Sequence, residues 1–235
     1  MKKERNYSLS PELLHKYLDA ALINASDLLI EATTLLTQER YARAYFLACA
    51  AMEETGKGYI AFSAMGRNLN NLGVQTAVKK SFEDHRSKII SAMICLIMTK
   101  KITKEKTEKF IDISSHLIIG REKSMYVDVN EKNEITTPSQ IVRPKASFDA
   151  VRLAKDCLET TGEYILSNEP DQFTAAQDKF LCINKKKMFD MVNTRNFWDY
   201  CLEQLEHKNT NDIIDIFVKY HDEYYCKKKS FENIS

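Results

Sequence analysis

Residues 39–62 are rich in alanine and large apolar side chains, yet the stretch carries Arg40, Arg43, Glu53, Glu54 and Lys57. Alanine with long apolar residues favours a helix that packs closely against its neighbours. At about 100° per residue, Arg40, Arg43, Glu54 and Lys57 fall within roughly a third of the helix circumference. Glu53 stands four residues before Lys57, the favourable order for an ion pair along a helix. Gly56 and Gly58 weaken this helix by up to about 1 kcal/mol each relative to alanine. Their presence is explained if another backbone comes close there. Charges on so apolar a helix either face water or meet partners inside the protein.

The rest of the chain points the same way. Only 6 glycines and 4 prolines in 235 residues leave little turn chemistry, which argues for long helices and against an all-β fold. A net charge of +1 provides no global field for nucleic acid, so any RNA contact must come from a local patch. The longest apolar run, Ile89–Met98, is too short to span a bilayer, and the N-terminus lacks the apolar core of a signal peptide. No membrane association is expected. The 6 cysteines contain no Cys-x-x-Cys pair, and most lie on apolar stripes, so free thiols in a cytoplasmic protein are expected. The 5 histidines lack metal-ligand spacing. Neither a metal nor another cofactor is expected.

Ser10-Pro11-Glu12 reads as a helix start, with serine as the cap and proline in the first turn. Apolar residues from Leu14 to Leu36 then recur at helical spacing. A short break near Thr37-Gln38 leads into residues 39–62, predicting an antiparallel helical hairpin. A third helix is predicted over Gln75–Thr99 and a fourth from Thr103, whose apolar face includes Phe110, Ile113, Leu117 and Ile118. On these periods Arg86 falls near the middle of the third helix's apolar arc, His85 at its edge, and Arg121 near the centre of the fourth helix's apolar face. Residues 128–145 lose the pattern, and Pro138 and Pro144 mark an extended excursion. Amphipathic helices are then expected over Phe148–Ser167, Gln172–Cys182, Lys187–His207 and Asn211–Tyr225, followed by a frayed tail, Lys227–Ser235.

Acids and bases thus stand on inward stripes of adjacent helices, where buried charge is tolerated only when paired. A site with His, Arg, Lys, Glu and Tyr but no metal ligands suits cleavage of a phosphodiester by a neighbouring hydroxyl. A base takes the 2′-hydroxyl proton while a fixed cation stabilises charge on phosphorus.

Three segments carry a family resemblance: Ala42-Arg43-Ala44-Tyr45 through Glu53-Glu54-Thr55-Gly56-Lys57; Phe82-Glu83-Asp84-His85-Arg86-Ser87-Lys88; and Arg121-Glu122-Lys123-Ser124-Met125-Tyr126-Val127-Asp128. Together they resemble AbiV, the abortive-infection proteins of bacterial phage defence, which belong to the HEPN superfamily. The resemblance implies an all-α, up-down helical bundle with additional C-terminal helices. The expected organisation is one domain over 1–235, with a four-helix core at 10–127, an extended loop at 128–146 and C-terminal helices at 147–226 packed on the core. It also implies a homodimer, a toxin directed at RNA that arrests the infected cell, and a phage-encoded protein as possible activator. Active HEPN ribonucleases carry Arg, four to six residues, then His. Here Tyr126 follows Arg121 after four residues. The catalytic candidates are therefore Arg121 on phosphate, His85 from the preceding helix as acid/base, and Tyr126 as proton donor or phosphate contact. Glu53, Glu54, Lys57, Asp84, Arg86 and Lys88 are the orienting candidates. Three readings stay open: a metal-independent ribonuclease or translation-blocking toxin, a catalytically silent HEPN module that binds protein or RNA, and a purely structural helical adaptor.

Overall fold

The computed structural model describes residues 7–98, 104–206 and 213–227. The expected helix ends at Thr99 and Thr103, the boundaries at His207 and Asn211, and the tail beyond Lys227 lie outside these residues. Apart from one short hairpin, all regular structure among the described residues is helical, as expected. The chain forms two compact units. One comprises the residues up to Met65 together with Val78–Asp171, and the other Gly66–Ala77 with Gln172 onwards.

In the first unit, α1 (Pro11–Thr37) starts as predicted. Ser10 is extended, and its hydroxyl accepts from the Leu13 amide at 3.1 Å. After a turn in which Glu39 takes a left-handed φ of 59°, α2 (Tyr41–Met65) runs back along α1. Leu22 of α1 meets Gly58 near the far end of α2, so the pair is antiparallel. One face of α1, with Leu14, Leu18, Ala21, Ala25, Ala32 and Leu36, is buried. This helix is also long and apolar enough to cross a membrane by length and composition, with a mean hydropathy of 1.2 over its best window.

α2 is the central element, and α1, α4 and α7 all pack against it. Ala44, Ala48, Cys49, Ala51 and Met52 are almost wholly inaccessible. Small side chains around most of its circumference let three helices approach, which is why this stretch is so rich in alanine.

The third predicted helix is in fact two, α3 (Leu72–Glu83) and α4 (His85–Met98). Asp84 interrupts them, because its carboxylate accepts from the Ser87 amide at 3.1 Å and the Ser87 hydroxyl at 2.5 Å. Such a cap satisfies the first turn of a new helix better than continuation does. The break overturns one expectation: Arg86 lies in the exposed first turn of α4, and not on the apolar arc. α5 (Lys104–Lys123) follows.

The expected extended loop contains a hairpin, with β1 (Asp128–Val129) antiparallel to β2 (Ile135–Thr136) in the register Asp128–Thr136 and Val129–Ile135. Asn133 supplies the left-handed residue of its turn, at φ 59°. A single turn, α6 (Pro138–Ile141), precedes α7 (Pro144–Ser167). Pro144 thus opens a helix, where its missing amide costs nothing. Ala150, Val151, Ala154 and Cys157 of α7 are buried in the core around α2.

The second unit holds α8 (Ala175–Cys182), α9 (Lys185–Val192), α10 (Arg195–Glu206) and α11 (Ile213–Tyr220), with a π-helical turn at His221–Tyr225. The predicted helix over Lys187–His207 is broken at Thr194, whose hydroxyl donates to the Met191 carbonyl at 2.8 Å. Phe197, Tyr200, Cys201, Ile216 and Tyr220 form an aromatic-rich core of its own. Arg67 ties Gly66–Ala77 to this unit, donating to Asp178 at 3.0 Å and lying 3.7 Å above the Phe173 ring.

Candidate functional site

Three basic residues from the second and third motifs, His85, Lys88 and Arg121, meet at one carboxylate of the first, Glu53. Glu53, on the buried face of α2, is 5% exposed. Its oxygens receive groups from two other helices. His85 Nδ1 lies 2.9 Å from Oε1 and 2.8 Å from Oε2, Lys88 Nζ lies 2.7 Å from Oε2, and Arg121 Nε lies 2.5 Å from Oε1. The N–H of Arg121 Nε does not point along that line, so this contact is a charge pair and not a hydrogen bond.

Two glycines make the convergence possible. A Cβ on Gly56 would lie 1.8 Å from the Lys88 carbonyl oxygen, so α4 crosses α2 in direct backbone contact, as the sequence suggested. A Cβ on Gly120 would lie 2.4 Å from the Tyr45 hydroxyl oxygen, so Tyr45 seats itself against α5 immediately before Arg121. Tyr45, Cys49 and Glu53 recur at four-residue spacing on one face of α2, with Tyr45 and Cys49 forming a layer next to the charges. Sequence reasoning passed over Tyr45 and Cys49 as site residues, although that spacing was visible.

Burial alone would raise the carboxyl pKa of Glu53. The hydrogen bonds from Lys88 and His85, with the charges of Lys88 and Arg121, outweigh it and hold the group below the usual carboxylate value. Beneath it, burial and then the charge of Glu53 push the Cys49 thiol up to about 12, against the opposing influence of Arg121. Burial likewise raises the Tyr45 phenol. These two groups stay neutral and form an uncharged floor.

One carboxylate faces two basic side chains, the ammonium of Lys88 and the guanidinium of Arg121, beside the imidazole of His85. Lys88 is buried, whereas the His85 side chain is 51% exposed. Nδ1 of His85 is held by Glu53, so among the described residues Nε2 is the ring nitrogen that faces away from this pairing. The Arg121 side chain is 19% exposed, and its guanidinium carbon lies 5.7 Å from the centre of the Phe46 ring.

The other candidates are placed differently. Lys57 pairs with Glu54 at 2.5 Å, and not with Glu53. Asp84 is the cap of α4. Arg86 is exposed. Tyr126, 58% exposed beyond the end of α5, makes none of the contacts to Glu53. No group of three or more metal-ligating side chains occurs among the described residues.

Within the helical bundle, the central helix gathers a histidine, a lysine and an arginine from two neighbouring helices. A family model described as AbiV matches residues 13–159, more than half the chain, and the chain belongs to the AbiV family of the HEPN superfamily. Searches of curated proteins and of solved structures return no match.

Proposed function

We propose that this chain is an abortive-infection effector that cleaves RNA without a metal ion, acting as a cytoplasmic homodimer. The observation that carries this reading is the pairing of His85 Nδ1 with Glu53 while Arg121 holds the same carboxylate. A carboxylate that accepts from Nδ1–H selects the tautomer whose Nε2 carries the lone pair. Nε2 then takes the proton from a ribose 2′-hydroxyl, and the 2′-oxygen attacks the adjacent phosphorus. The 5′-oxygen leaves, taking a proton back from His85, and the products are a 2′,3′-cyclic phosphate and a 5′-hydroxyl. Arg121, charged at any relevant pH, presents its terminal N–H groups to the phosphate oxygens as charge grows on them. Glu53 stabilises the imidazolium formed on the way, and Lys88 keeps Glu53 ionised.

The test is incubation of the purified protein with a labelled RNA and with DNA of the same sequence, in EDTA. Cleavage of RNA alone, ending in a cyclic phosphate and lost in His85→Ala, is the expected result. DNA cleavage, or RNA cleavage that survives His85→Ala, refutes the mechanism.

A second reading is favoured by Tyr126, which occupies the place of the expected histidine and stands apart from Glu53. On this reading the basic side chains of the cluster bind RNA or a partner without turnover. Retention of labelled RNA with no product over long incubation selects it.

A further inference from the structure

The last turn of α5 and the hairpin β1–β2 border an open groove of about 1110 Å³. Glu53, His85, Lys88 and Arg121 do not line it. Its walls include Ile119, Tyr126, Val127 and Val129, which are 58%, 58%, 62% and 60% exposed. Single exposed apolar residues are ordinary, but several on one concave surface mark a place where another molecule sits.

Charge decides what kind of molecule. Glu122, Asp128, Glu131 and Glu134 line the groove against only Lys123 and Lys132, so carboxylates outnumber ammonium groups by two. A nucleic-acid backbone would bring phosphates to a surface whose net charge repels them. A peptide that combines apolar side chains with lysine or arginine matches both the walls and the charge. We infer that this groove docks a basic, apolar segment of a partner protein. The inference rests on the groove's own surface and is independent of the ribonuclease reading.

The test uses fluorescence anisotropy on the full chain with three labelled probes: a short peptide alternating lysine and valine, the same peptide with glutamate for lysine, and a short single-stranded RNA. Two double variants alter exposed positions only, and circular dichroism checks that each keeps its helix content. The lysine peptide should bind and the glutamate peptide should not. Glu131→Lys with Glu134→Lys should weaken binding of the lysine peptide by about tenfold or more, and Ile119→Ser with Val129→Ser by a similar factor at unchanged charge. Binding untouched by charge reversal overturns the proposal. Binding untouched by the serine variant overturns it too, because surface charge alone then suffices. RNA binding that the serine variant abolishes makes nucleic acid the occupant. A dimer that either variant converts to monomer in sedimentation makes the occupant a second copy of the chain.

Discussion

The carbonyl oxygen of Lys88 sits 1.8 Å from where a Cβ on Gly56 would be, so the helix carrying His85 and Lys88 rests on bare backbone of the helix carrying Glu53. Gly56→Ala gains up to about 1 kcal/mol of helix propensity. It also forces two backbones apart, and overpacking of this kind costs typically about 1–3 kcal/mol. The clash wins, because a carbonyl cannot rotate away as a side chain can. Gly56→Ala should therefore lower the denaturant midpoint. A Cβ on Gly58 would press on the Leu22 side chain, Cδ2 at 2.8 Å and Cγ at 3.1 Å, with backbone no nearer than the Leu18 carbonyl oxygen at 3.9 Å, so Gly58→Ala should cost less than Gly56→Ala. Equal midpoints for the two variants would show that the contact with α4 yields easily.

Glu53→Gln keeps the shape of the hub and removes its charge. The buried ammonium of Lys88 is then left uncompensated, a loss of about 3–5 kcal/mol. The carboxyl of folded Glu53 is held below its ordinary value of 4.5. Its contribution is therefore fully present above that value and is lost as the pH falls through the lower, folded value. Urea midpoints should differ widely between the two proteins at neutral pH and converge on acidification. A gap that stays constant with pH would mean that the ionised carboxylate is not what holds the cluster.

His85→Ala removes an exposed side chain, so its stability cost should stay below about 1 kcal/mol. Growth arrest on induction should nevertheless disappear, because among the described residues His85 supplies the imidazole that contacts Glu53. Arg121→Lys retains the charge but loses the planar fork of donors, and activity should fall sharply even where folding is intact. EDTA should leave RNA cleavage unchanged. Full toxicity in both variants would place the active groups elsewhere.

A homodimer would cover apolar residues that α1 leaves outward, such as Ile23 and Ile30, at 64% and 63% exposure. Light scattering at micromolar concentration should report about twice the chain mass. A value near 27.2 kDa would refute the dimer.

Much of this was legible along the chain. Ser10-Pro11 announced α1, the alanine-rich stretch announced a buried central helix, and Gly56 announced a close backbone. The break at Asp84 was not legible, because the apolar period runs through it and the cap depends on which amides the carboxylate finally accepts from. Continuing the helical wheel past that break turned Arg86 inward. The new helix instead buries Lys88 and leaves Arg86 in water. The hairpin at 128–136 was hidden for a related reason. It has only two residues per strand, and its turn relies on Asn133 where a glycine would have signalled it.

By itself the sequence determined the hairpin of α1 and α2, their apolar faces, and which charges are available to a site, since these follow from local spacing and side-chain chemistry. Tertiary structure decided who pairs with whom. Glu53 has Lys57 at the favourable local distance, yet it is held by His85, Lys88 and Arg121, while Lys57 turns to Glu54. The reason is burial. A carboxylate withdrawn from water is stabilised most by groups that reach it inside, and only the packing of α4 and α5 on α2 brings those groups there.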